Sequence, residues 1–169
     1  MKTKKEMSLT VNQNRNKMQK SKKELMEELS KNSVEFCNTL KFLVNMLWNC
    51  NKDNGDITAL KEKLKIAASS NPISIIEIGG PQFFKYRDSL REKKLDFFLD
   101  KDFSEDVEAT KREHGISGDT SSATEVITII KTTFNSFNDN EKTIIVDKAY
   151  EMLKNYIRYL TAAKALKAL

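Results

Sequence analysis

Apolar residues return every three, four or seven positions through most of this chain, the spacing of one helix face rather than the alternation of a strand. The longest such run carries Leu25, Leu29, Phe36, Leu40, Leu43 and Leu47, with Cys37, Val44 and Trp48 widening the stripe. Ser21-x-x-Glu24 precedes it as a capping box, and the turn cluster NCNKDNGD at 49–56 should end it. Asp56 can cap a second helix bearing Ile57, Leu60, Leu64 and Ala68. A short third helix is predicted from Pro72, in its first turn, to Gly79, as the left-handed residue that ends it. The β-branched run Ile73, Ile75, Ile76, Ile78 also fits a strand, but no segment offers it an obvious pairing partner.

Pro81 then restarts a helix whose arc holds Phe83, Tyr86, Leu90, Phe97 and Phe98, with a break expected in the polar turn REKK at 91–94. Residues 100–121 have weak periodicity and two glycines, and read as the main surface connection. Ser122-x-x-Glu125 opens a helix with Val126, Ile127, Ile130, Phe134 and Phe137. Residues 141–160 form the last long helix, through Ile145, Ala149, Met152, Leu153, Tyr156 and Leu160, and TAAKALKAL continues in good helix formers. The expected fold is all-α: a compact, irregular bundle of five to seven helices over residues 21–169, as a single helical domain.

Composition agrees, with two prolines and five glycines in 169 residues. Charge adds something the periodicity does not. Residues 1–23 hold Lys2, Lys4, Lys5, Arg15, Lys17, Lys20, Lys22 and Lys23 against Glu6 alone, a net of +7, so the other 146 residues sum to −2. Residues 1–20 therefore read as a basic, flexible, extended arm. The eight cations of residues 1–23 suit an acidic protein surface in an assembly, or a polyphosphate, from which they would release counterions. No aromatic residue is interleaved in the arm, so base stacking is not indicated.

Candidate chemistry is sparse. The chain has one His, His114, no Gly-x-Ser-x-Gly elbow and no Walker A loop. Asp100, Asp102, Ser104 and Asp106 imitate half a calcium loop, but Glu105 stands where its glycine belongs and Lys111 where its bidentate Glu belongs. GISGDTSS at 115–122 precedes a helix start, where an anion can rest. Neither a catalytic residue, a metal site nor a cofactor is expected. Cys37 and Cys50 read as small buried hydrophobes of a reducing compartment. FLVNMLW at 42–48 is too short to span a bilayer, and no apolar run follows the N-terminal charges as in a secretory signal. These features predict an intracellular protein.

The aromatics of GGPQFFKYRDSLREKKLDFFLDKDF at 79–103 lie at helical spacing, which favours core formation over a ligand site. The closing helix YEMLKNYIRYLTAAKALKAL is amphipathic, and core packing is its commonest use. GPQFFKYRDSLREKKLDFFLDKDF together with AYEMLKNYIRYL at 149–160 resembles short all-helical proteins encoded by large DNA viruses of eukaryotes. That resemblance implies a viral, virion-associated protein and supplies no catalytic residues. The expected function is a non-catalytic structural or assembly protein, of minor-capsid type, binding neighbouring proteins through its arm and helix faces. Two alternatives are a nucleic-acid-binding or packaging protein, whose steep salt dependence would vanish with residues 1–23, and a small enzyme or inhibitor with an unrecognised site, for instance around His114.

Overall fold

The computed structural model describes residues 20–117 and 121–169, in eight helices with no strand among the described residues. They are α1 (Lys22–Cys50), α2 (Gly55–Ser70), α3 (Pro72–Lys85), α4 (Arg87–Arg91), α5 (Leu95–Asp100), α6 (Ser104–His114), α7 (Ser121–Ser136) and α8 (Asp139–Lys167). The all-α expectation holds. The count exceeds five to seven, because the segment between Tyr86 and His114 breaks into three short helices. The strand reading of 73–78 fails, since Ile73–Ile78 lie within α3.

Helices α1 and α8, each of 29 residues, form the spine. They run antiparallel: Lys148 of α8 lies over the Phe42 ring of α1, and further along Glu35 of α1 lies by Arg158 of α8. Helix α3 packs on both, and its Ile76 joins Phe36, Met152, Tyr156 and Tyr159 in the core. Leu29, Leu40, Leu43, Phe83 and Leu160 pack around that cluster, and Phe36 meets Phe83 edge-on with ring centroids 5.6 Å apart. The periodic stripe of α1 is thus the core face. The closing helix lies in the core too, with Tyr156 and Tyr159 buried and Tyr150 half-buried.

Both long helices begin with capping boxes. Ser21 and Glu24 exchange backbone and side-chain hydrogen bonds as expected, and Asn138 does the same with Glu141, so α8 starts at Asp139 rather than 141. The second helix is capped by Asn54, whose Oδ1 accepts from Ile57 N at 3.0 Å, not by Asp56, which sits in the first turn. Pro72 does occupy the start of α3, and Asn71 caps it.

The Gly-Gly-Pro expectation is overturned. Helix α3 runs unbroken through Gly79, Gly80 and Pro81 to Lys85. Gly80 is there because the Tyr156 ring of α8 lies against its backbone: a Cβ on Gly80 would fall 2.0 Å from Tyr156 Cδ2. The pair marks a close helix approach, not a stop. Pro81 and Glu77, whose carbonyl Pro81 cannot reach with an N–H, are both exposed, where water can meet that carbonyl. The break expected at 91–94 is present, with Lys93 in the left-handed region at φ 54° and its ammonium 2.8 Å from Asp147 of α8.

The buried Tyr159 hydroxyl donates to Glu77 Oε1 at 2.6 Å, tying α8 to α3. Burial, then this hydrogen bond, push the phenol well above its ordinary value. Tyr159→Phe is expected to cost about 1–2 kcal/mol in denaturant unfolding at neutral pH. A folded-state value above the unfolded one means this contribution is full below about pH 10 and fades as pH rises toward the folded value. The mutant and parent curves should therefore converge at high pH.

Candidate functional site

Of the eight arm cations, Lys2, Lys4, Lys5, Arg15 and Lys17 lie outside the described residues, as does most of the 1–20 arm. Lys20, Lys22 and Lys23 are placed at the start of α1, all exposed. Lys20 pairs with Glu28, and Lys23 Nζ lies 3.9 Å from Glu27. Exposed pairs of this kind are worth at most about 1 kcal/mol, so these ammonium groups remain exchangeable for a partner's carboxylates. Lys22 and Lys23 stand in the first turn of a helix, where the macrodipole disfavours cations. Glu24, held below its ordinary value by its hydrogen bonds to the Ser21 backbone and hydroxyl, answers that charge in part. Beside them Met26, with 55% of its surface exposed, adjoins a shallow depression with Lys22, Lys23, Glu27 and Ser30. The arm therefore roots on a mixed basic and apolar shelf.

The second polar concentration was not expected. Residues 100–121 are not a bare surface connection, because Ser104–His114 form α6. What holds α6 is Asp106, buried at its inner face. Its Oδ2 accepts from the Tyr86 hydroxyl at 2.5 Å, Lys85 donates to its Oδ1, and Lys101 Nζ stands 3.9 Å away. Burial pushes the Asp106 carboxyl up, but the Lys85 and Tyr86 hydrogen bonds and the nearby positive charge outweigh it and hold the group below its ordinary range. The Tyr86 ring meets Phe97, Phe98 and Phe103 at 5.8, 6.0 and 5.9 Å between centroids, and Lys101 and Lys131 lie over Phe103. Gln82 Nε2 donates to Thr110 Oγ1 at 3.0 Å, while Gln82 Oε1 is buried without a hydrogen bond. This node locks α3, α5, α6 and α7 together. A carboxylate already holding a phenol and an ammonium acts as a structural latch.

The remaining sequence candidates scatter. The acidic string does not converge: Asp106 turns inward, while Asp102 accepts from Ser104 N and Oγ at 2.9 and 2.7 Å and is held below its ordinary value by those bonds. Among the described residues no three His, Cys, Asp or Glu side chains are grouped to hold a metal. His114 is exposed at the last turn of α6, ahead of the left-handed Gly115. The expected anion rest at 115–122 includes residues 118–120, which lie outside the described residues. Helix α7 starts at Ser121, and the Ser122 side chain lies outside them too. Cys37 is buried, and burial raises its thiol, but Cys50 is exposed. The expectation of two buried cysteines fails at Cys50, which with Asn49 falls on the exposed side of the last turn of α1, while Trp48 and Asn51 on either side are half-buried. No helix among the described residues is long and apolar enough to cross a membrane.

The chain matches no protein-family model, no characterised protein and no solved structure. Its functional reading therefore rests on its own residues.

Proposed function

We propose that this protein acts by binding, as a structural or assembly protein of minor-capsid type. In this reading the basic arm and exposed helix faces engage neighbouring proteins in a virion. The observation that carries the reading is the segregation of charge: +7 in residues 1–23 against −2 in the rest. Lys22 and Lys23 stand in the first turn of α1, where positive charge works against the macrodipole, so helix formation does not call for cations there. The use of the segregated charge is outside the fold, on an acidic surface. The shelf at Met26, and the exposed Val34 and Phe42 further along α1, supply apolar contact beside the charge. The virion setting comes from the resemblance of residues 80–103 and 149–160 to viral helical proteins.

The test replaces Lys2, Lys4, Lys5, Arg15 and Lys17 by Gln in the full chain and compares affinity purifications from the producing cells across a salt titration. Discrete protein partners should be recovered with the parent chain, survive nuclease treatment, and be lost in the variant. Recovery of nucleic acid alone, with a steep salt slope, would move the assignment to packaging. Identical recoveries from parent and variant would leave the arm no binding role.

A further inference from the structure

Helix α8 carries an asparagine where its neighbours are core residues. Asn155 falls on the arc of Met152, Tyr156 and Tyr159 and is only 7% exposed, yet its carboxamide has no hydrogen-bond partner among the described residues. The residue is buried as a whole, yet its amide atoms stay open to solvent instead of pairing within the fold. What surface it retains opens into a groove of about 370 Å³ between α1 and α8, walled by Glu35 and Thr39 on one side and Glu151, Lys154 and Arg158 on the other. The groove is within the size range of ligand sites.

The charges lining this groove are not equally committed. Glu35 lies 4.0 Å from Lys31, and Glu151 accepts from Lys148 at 2.8 Å. Arg158 makes no ion pair among the described residues, and Lys154 only overlies the Tyr150 ring at 5.0 Å. Lys31 and Lys148 balance Glu35 and Glu151, so Lys154 and Arg158 leave the groove net positive beside an amide that can both donate to and accept from a peptide group. Such a set fits an extended segment with Asp or Glu side chains.

We propose that the α1–α8 groove binds an acidic peptide segment of a partner protein, with Asn155 pairing to its main chain and Arg158 and Lys154 to its carboxylates. This site is separate from the arm and stands or falls independently of it.

The test uses the full chain carrying the five arm substitutions, so that the arm cannot capture the probe. Fluorescence anisotropy is read with a labelled, end-blocked (Asp-Gly)4 peptide and with (Lys-Gly)4 as the opposite-charge control. The acidic peptide should bind and the basic one should not. Arg158→Gln with Lys154→Gln should weaken binding by about tenfold or more. Asn155→Leu should also weaken it while leaving the melting temperature equal or higher, because the amide makes no hydrogen bond among the described residues that the fold would lose. That split separates a ligand role from a structural one. No acidic-peptide binding at about 1 mM, the weak limit of specific recognition, overturns the proposal. So does binding indifferent to these substitutions, or a melting temperature lowered by Asn155→Leu. An oligothymidine that competes through the same residues assigns the groove to nucleic acid and equally overturns it.

Discussion

Gly80→Ala is expected to destabilise the protein by about 3 kcal/mol, lowering its melting temperature by roughly 6–12 °C for a chain of this size. The new methyl would sit 2.0 Å from Cδ2, 2.4 Å from Cε2 and 2.6 Å from Cγ of Tyr156. Those are ring atoms of a buried side chain packed with Phe36, Ile76 and Met152, so the ring cannot swing aside without moving its neighbours. Either α3 and α8 separate, or the ring leaves its rotamer. Against that stands only the helix-propensity gain of Ala over Gly, about 1 kcal/mol. The adjacent position gives the internal control. A Cβ on Gly79 meets Phe36 at 3.5 Å, an ordinary contact. Gly79→Ala should therefore stabilise by about 0.5–1 kcal/mol. Urea denaturation of the two variants measures both signs. Two equal effects would refute the close approach of α3 to α8.

Asp106→Ala should cost about 2–3 kcal/mol and loosen α6 selectively. It strands the Tyr86 hydroxyl in an aromatic surround and removes the acceptor of Lys85. The Lys85 ammonium is itself largely exposed and returns to water, so the loss stays below that of a fully buried pair. Hydrogen exchange should locate the effect, with protection falling in 104–114 before it falls in α1 or α8. The pH dependence follows from the direction of the shifts. The folded Asp106 carboxyl lies below its ordinary 3.8, so its contribution is complete above that value and disappears as pH falls through the folded one. Lys85 lies above its ordinary 10.5, chiefly through its hydrogen bond to Asp106, so its contribution is complete below that value and is lost as pH climbs through the folded one. The gap between parent and Asp106→Ala should thus be widest from about pH 5 to 10 and narrow at either extreme.

Much of the fold was legible because it follows local rules. The stripe from Leu25 to Leu47 marks the buried face of α1, Ser21-x-x-Glu24 marks its start, and the polar run at 91–94 marks a break. Legibility ended where a distant partner decides the outcome. Gly79-Gly80-Pro81 looks like punctuation in one dimension, and only the Tyr156 ring, 76 positions beyond Gly80, explains why the helix continues. Helix α6 has almost no apolar stripe, since a buried carboxylate rather than a leucine row anchors it. In NKDNGD several residues can cap, and Asn54 rather than Asp56 does. Asn155 did carry a readable signal, a polar residue on the arc of Met152, Tyr156 and Tyr159. It reads as an ordinary helical polar position until the groove beside it is seen.

The claim on which the account turns is that the arm's cations meet the carboxylates of another protein. Zero-length carbodiimide cross-linking of the full-length protein in its native assembly, followed by peptide mass spectrometry, addresses that contact directly. The account predicts cross-links from Lys2, Lys4, Lys5 and Lys17 to Asp or Glu side chains of a different polypeptide, weakening as salt is raised. Cross-links confined to this chain's own carboxylates, or none from the arm while nuclease releases the protein, would contradict it.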